Sequence, residues 1–229
     1  SPSVFAKIID NNIGGFFKIE TVGSYNISQE YFKNTCILKT SFNNGFDEFH
    51  IIDYMPRYET KKNSYYSPPE ISRIIRYTKG NPKIRIIYDP KLDYSLGETR
   101  SYVKSNFIVS ISENENYETL YLYSNARLDS IKTNDVIELD SDLFFKISYY
   151  EKLIPPKYQD ILSEFNKTKE YWTNWINKTP NFKKYNSEIL RSALTLKLLT
   201  YQKTGAVLAA VTTSLPETIG EERNWDYRF

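Results

Sequence analysis

Between Ile13 and Glu151, apolar and polar positions alternate in short runs rich in Ile, Val, Phe, Tyr and Thr, broken by clusters of Asn, Gly, Pro and Asp. A period of two is the mark of a pleated strand, whose successive side chains point to opposite faces. The pattern predicts strands over Gly14–Glu20, Thr35–Phe42, Glu48–Tyr54, Ser72–Thr78, Lys83–Tyr88, Tyr102–Ser110, Glu118–Tyr123, Val136–Leu139 and Leu143–Tyr150. Asn43-Asn44-Gly45 separates two of them, and because Asn and Gly tolerate positive φ, Thr35–Tyr54 is expected to form an antiparallel hairpin. Within it Cys36, Leu38, Thr40 and Phe42 alternate with Ile37, Lys39 and Ser41, which predicts one buried and one wetter face. Strands this numerous and closely spaced point to a sandwich of antiparallel sheets.

Pro155-Pro156 ends this regime, and the period changes to 3.6. Ile161, Leu162, Phe165, Thr168, Trp172, Trp175 and Ile176 fall on one stripe of a helix predicted over Lys157–Asn177, with Pro180 marking its exit. Trp172 and Trp175 lie three apart, a spacing that suits a linker helix docking through its core face. A second helix, Ser187–Gln202, begins after Asn186 as its N-cap and carries Ile189, Leu190, Ala193, Leu194, Leu196, Leu198 and Leu199 over most of its circumference. That distribution predicts burial on more than one side, with Gly205 as the C-terminal cap. The expected organisation is mainly β: an antiparallel β-sandwich domain over 1–154, a helical linker over 155–182, and the start of an all-α domain over 183–229. Helical partners are expected beyond Phe229; an exposed helix of this kind also suits a homo-oligomer contact.

Composition narrows the functional classes. With 229 residues, 40% of them hydrophobic, the chain can fill a sizeable core. Lys+Arg 30 against Asp+Glu 28 leaves a net charge of +2 with no long basic run, so nucleic acid is not an expected partner. No apolar run approaches the roughly 20 residues that span a bilayer, so no membrane partner is expected. One cysteine forms no internal disulfide and no signal-peptide pattern is visible, which makes a cytoplasmic address the default expectation. Tyrosine is abundant, with 20 copies. Sheet surfaces favour it, and so do sugar sites, where a flat ring covers a pyranose face.

The residues then carry a resemblance. Trp172-x-x-Trp175, Tyr185, the run Ile189 to Tyr201, Thr204-Gly205-Ala206, Thr212-Thr213-Ser214-Leu215-Pro216-Glu217, Ile219-Gly220 and Arg223-Asn224-Trp225-Asp226-Tyr227-Arg228 closely resemble glycoside hydrolase family 15, in its prokaryotic glucoamylase and trehalase-like branch. Upstream, Gly14-Gly15, Asp53-Tyr54-Met55-Pro56, Asp89-Pro90 and Asp93-Tyr94 are similar to the N-terminal β-domain of that branch. The resemblance implies a β-sandwich, a helical linker and the first helix of an (α/α)6 barrel. It also implies that the chain lacks the first strands of the sandwich. The implied activity is inverting hydrolysis of terminal α-linked glucose, glucoamylase type first and α,α-trehalase as the alternative, with an α-glucan or α-glucoside as substrate. An alternative of another class is a non-catalytic carbohydrate-binding or oligomerisation β-domain. Inverting enzymes hold an acid and a base carboxyl roughly 6.5–9.5 Å apart around a water. The resemblance puts both glutamates beyond Phe229, leaving no catalytic residue in this chain, and the remainder of the barrel becomes a required partner.

The resemblance assigns Tyr227 to the subsite for the terminal glucose, with Trp225 and Arg228 in the same motif. Glu217, Glu221, Glu222 and Asp226 read as solvated loop acids rather than a catalytic pair. His50 is the sole histidine, which excludes His-based metal clusters; in a strand it reads as a structural hydrogen-bonding residue. Cys36 reads as a small buried hydrophobe. Gly14-Gly15 matches no phosphate-binding loop, and neither a cofactor nor a metal is implied.

Overall fold

The computed structural model describes residues 3–61, 64–113, 117–202 and 204–208. The strands are β1 (Phe16–Thr21), β2 (Asn26–Tyr31), β3 (Leu38–Asn43), β4 (Glu48–Tyr54), β5 (Tyr58–Lys61), β6 (Ser64–Tyr66), β7 (Glu70–Lys79), β8 (Lys83–Asp89), β9 (Thr99–Val103), β10 (Ile108–Ser112), β11 (Thr119–Ser124), β12 (Val136–Glu138) and β13 (Leu143–Tyr149). The helices are α1 (Leu128–Thr133), α2 (Tyr158–Ile176) and α3 (Asn186–Leu198). Strands β2-β3-β4-β7-β13-β11-β10-β9 form an eight-stranded sheet, β1-β8-β12 a three-stranded one, and β5-β6 a separate ribbon. Every pairing between these strands is antiparallel.

The two sheets face each other across a core that includes Ile19, Phe49, Ile51, Ile75, Ile86, Leu122 and Phe145. The opposite face of the large sheet is covered as well. There Ile37, Ile52, Ile74, Tyr123 and Phe144 pack with Ile161, Phe165, Trp172 and Ile176 of α2 and Leu194 of α3. Alternate residues of a strand serve alternate layers. On β4, Phe49 and Ile51 face the small sheet while Ile52 and Tyr54 face the helices.

Double burial explains where the sequence pattern misleads. Ile37, expected on the wetter face with Lys39 and Ser41, is fully buried beneath the helices, while Phe42 is buried in the sandwich. The Thr35–Tyr54 hairpin forms with Asn43 opposite Glu48. Its loop is stabilised locally: Asn44 Oδ1 accepts the Phe46 and Asp47 N–H groups, and Gly45 takes φ 92°. The single strand expected over Tyr102–Ser110 is instead β9 and β10, because the chain reverses where Lys104 N–H bonds Phe107 O. Strand β2, the β5-β6 ribbon and α1 lie in segments whose short, polar sequences gave no strand or helix expectation.

Helix α2 follows Pro155-Pro156, and its first turn is closed by the Asp160 carboxylate, which accepts the Lys157 N–H at 2.8 Å. Helix α3 departs from expectation in three ways. Tyr185, in left-handed conformation, occupies the N-cap position, and Asn186 is the first helical residue, its Oδ1 accepting the Phe182 N–H. The helix ends at Leu198, and Gly205 belongs to the turn beyond it. Leu194 is buried, whereas Leu196 and Leu198 are 59% and 42% exposed, so one face rather than several is covered among the described residues. No helix among the described residues is long and apolar enough to cross a membrane.

Candidate functional site

The sugar-subsite residues Tyr227, Trp225 and Arg228 lie outside the described residues, as do Glu217, Glu221, Glu222 and Asp226. What the structure describes is the path into that segment. After α3 the chain folds back on itself: Tyr201 N–H bonds Ala206 O at 2.7 Å, Gly205 N–H bonds Tyr201 O at 2.9 Å, and Leu208 N–H bonds Leu199 O at 3.0 Å. Gly205 has φ 79°, a conformation that glycine adopts without steric cost.

This exit is held by Arg57. The Asp53-Tyr54-Met55-Pro56 stretch carries the chain off β4, and the next side chain turns inward, 5% exposed. Arg57 Nη1 donates to Lys197 O at 3.0 Å, and Nη2 to Thr200 O at 3.0 Å and Gln202 Oε1 at 2.5 Å. A cation at a helix C-terminus satisfies carbonyls that have no intrahelical partner. The guanidinium also lies 5.6 Å from the rings of both Tyr171 and Trp172. Its backbone N–H bonds Thr168 Oγ1 of α2, so one residue ties the β-domain to both helices. Asp53 pairs with Arg73 at 2.6 Å within the sheet.

A second polar centre joins sheet and helix. Lys146 of β13, 3% exposed in its side chain, lies 2.5 Å from Glu70 of β7 and 2.7 Å from Glu164 of α2. The lone pairs of both acids are further engaged. Glu164 accepts from Ser72 Oγ at 2.7 Å and Tyr54 OH at 3.2 Å, and Glu70 accepts from Tyr66 OH. The sequence signal was present: a lysine inside the apolar run Leu143-Phe-Phe-Lys-Ile147 must be paired if the strand is buried.

Beside the Arg57 clamp runs an open groove of about 490 Å³ between the β5-β6 ribbon, the outer face of α2 and the end of α3. Tyr58, Tyr65, Tyr171 and Trp175 supply its aromatic lining. The two tryptophans differ in depth: Trp172 is buried in the helix–sheet core, whereas Trp175 is part-buried against the same core and also lines the groove. Burial raises the Tyr58 and Tyr171 hydroxyl pKa values, and burial followed by repulsion from Arg57 lowers that of Lys197. The aromatic residues of this groove were not distinguishable by sequence from those that fill the sandwich.

His50, expected as a structural hydrogen-bonding residue, sets its Nε2 3.6 Å from Glu48 Oε1, while its buried Nδ1 has no hydrogen-bond partner among the described residues. Burial, then the Lys39 ammonium, lower its pKa, against the raising effect of Glu48 and Glu30. Cys36 is half-buried at the α3 seam rather than an inert core filler: its thiol donates to Leu194 O and accepts from Arg191 Nη2 at 3.2 Å. Burial raises its pKa. Gly14-Gly15 serves close backbone packing, since a Cβ at Gly14 would lie 2.4 Å from the Ala6 carbonyl. Among the described residues no cluster of His, Cys, Asp and Glu is suited to a metal ion.

The trehalase-like N-terminal family matches residues 1–119. Over its whole length the chain is 34% identical to a trehalase of Thermoplasma acidophilum, 33% to one of Thermoplasma volcanium and 31% to one of Mycobacterium tuberculosis. It covers 40%, 37% and 37% of those three proteins, so it spans about two fifths of the length of the curated relatives it matches. No solved structure matches it significantly.

Proposed function

The chain belongs to the trehalase-like N-terminal family, and we propose that it is the N-terminal part of an inverting α,α-trehalase: the β-sandwich, the linker helix α2 and the first part of the catalytic helical domain. The observation that carries this reading is similarity along the whole of this chain to about two fifths of proteins named trehalase, including the segment that follows the Arg57 clamp. It favours trehalase over the glucoamylase type that sequence motifs alone put first. In this reading Tyr227 lines the subsite for one glucose of the disaccharide, with Trp225 and Arg228 shaping its surroundings.

The chemistry asked of such a site is cleavage of one bond between two anomeric carbons. A carboxylic acid protonates the bridging oxygen while a carboxylate removes a proton from water attacking the opposite face. In this reading both groups come from glutamates outside these 229 residues, and Arg57 fixes the end of α3, from which the chain leads towards Tyr227. The acid needs surroundings that keep it protonated near neutral pH.

The test is glucose release by the full-length gene product from trehalose, maltose and starch. Inversion at one anomeric carbon of α,α-trehalose yields one β- and one α-glucose, so NMR at early times is expected to show the two anomers in equal amounts. Release from maltose or starch without release from trehalose would return the assignment to the glucoamylase type. The 229-residue chain alone is expected to release no glucose from any of the three.

A further inference from the structure

The groove beside α3 has features that packing does not require. Its α2 wall presents Lys167, Tyr171, Asn174 and Trp175, spaced so that they share one face of the helix and run about 12 Å along it, and Lys178 of the turn that follows continues the wall. Its volume of about 490 Å³ falls within the range typical of small-molecule sites. Four lysines, Lys61, Lys167, Lys178 and Lys197, line it against two acids, Glu59 and Glu170. None of the four lysines is ion-paired among the described residues, whereas other lysines, such as Lys18, Lys39 and Lys91, have carboxylate partners. Two of the four are held over aromatic faces, Lys167 at 5.3 Å from the Tyr58 ring centre and Lys197 at 6.0 Å from that of Trp175. Lys197 is half-buried, and the buried Arg57 guanidinium contacts its own carbonyl. Repulsion from Arg57 acts on the partly buried Lys197 ammonium, and an anion in the groove would relieve it.

We propose that this groove binds an anionic saccharide, its ring resting against Tyr65 and Trp175 and its phosphate or carboxylate lying among the lysines. The aromatic wall favours the weakly polar face of a pyranose. Tyr65 is 41% exposed, with its ring set edge-on to Tyr171 at 6.1 Å, so it is fixed in orientation yet open to a ligand. A neutral sugar would leave the excess positive charge uncompensated. A simple anion would leave the aromatic wall unused. Its test needs no turnover.

The experiment is isothermal titration of the 229-residue chain with glucose 6-phosphate, glucuronate, glucose and inorganic phosphate. Binding by either anionic sugar with a dissociation constant of about 1 mM or tighter is expected, and the tighter of the two identifies the anionic group. Glucose and phosphate are each expected to bind at least about fivefold more weakly, and raising the salt from about 50 to 300 mM to weaken the anionic sugar several-fold. Lys167→Gln on α2 with Lys178→Gln in the turn after it, both exposed, and separately the exposed Tyr65→Ala, are each expected to cost about fivefold or more while leaving the thermal midpoint unchanged. The proposal is overturned if neither anionic sugar binds, if glucose or phosphate alone binds as tightly, or if both variants bind as the parent does.

Discussion

Lys146 on β13 and Glu164 on α2 meet at 2.7 Å with side chains 3% and 12% exposed, so a charge pair nearly shielded from water connects the centre of the large sheet to the linker helix. Glu70 completes the group on the sheet side. Removing the lysine strands two carboxylates together in a dry layer. Lys146→Met is therefore expected to lower stability by about 3–5 kcal/mol in urea denaturation, more than its lost packing explains. Adding Glu70→Gln and Glu164→Gln to Lys146→Met should recover most of that loss. A triple variant no more stable than the single one would refute this account of the triad.

Arg57 makes a different kind of connection, directing its donors to carbonyls of the last turn of α3 and of the residues just after it. Arg57→Ala leaves the carbonyls of Lys197 and Thr200 without this donor and is expected to cost about 2–4 kcal/mol. Arg57→Lys should recover a minor part, because an ammonium carries its donors on a single nitrogen, whereas Arg57 reaches Lys197 O and Thr200 O from two separate nitrogens of a rigid plane. Hydrogen exchange gives a local reading: the Tyr201 and Leu208 amides, bonded within the exit turn, should exchange faster in both variants, with amides of β13 little changed. Uniform acceleration across the sheet would contradict a local role.

His50 offers a clean pH readout as the sole histidine. It faces Ser41 and Arg76 across the sheet, with Lys39, Glu48 and Glu30 among the nearby charges. Its pKa lies below the ordinary 6.5, first because of burial and then because of Lys39. The unfolded chain therefore binds the proton more readily than the folded one. The His50 contribution is complete above pH 6.5, declines as the pH falls through that value, and levels off once the folded imidazole is also charged. Urea titrations across this range should show the decline in the parent and a shallower one in His50→Gln. An NMR titration placing the folded imidazole above 6.5 would reverse the sign.

Gly80 closes the turn between β7 and β8 at φ 80°, where an added Cβ would lie 2.2 Å from Asp47 Oδ1 and 2.7 Å from Phe46 O. Gly80→Ala is expected to destabilise by about 1–3 kcal/mol through backbone strain and displacement of Asp47. Asp47 also accepts from Asn81 N–H and Tyr25 OH, and that hydroxyl is pushed up to about 12 by burial and by Asp47. Thermal denaturation of Gly80→Ala and Gly45→Ala makes the comparison, since nothing lies within 4 Å of a Cβ at Gly45. Gly45→Ala should cost less.

By itself the sequence determined the class of this protein: most of the strands, the period change at Pro155-Pro156, the buried stripe through Ile161, Phe165, Thr168, Trp172 and Ile176, and the motifs that carry the family. These are local properties, written in spacing and in turn residues. Tertiary structure alone decided that the large sheet is covered on both faces, which buried Ile37 and made Lys146 an internal charge. It also decided that the arginine after Met55-Pro56 fastens the end of a helix 140 residues further on, and that Trp175 and Tyr65 border a groove while Trp172 fills a core. Periodicity records which side of an element a residue occupies. What stands opposite that side depends on contacts between distant segments, and no local pattern contains them.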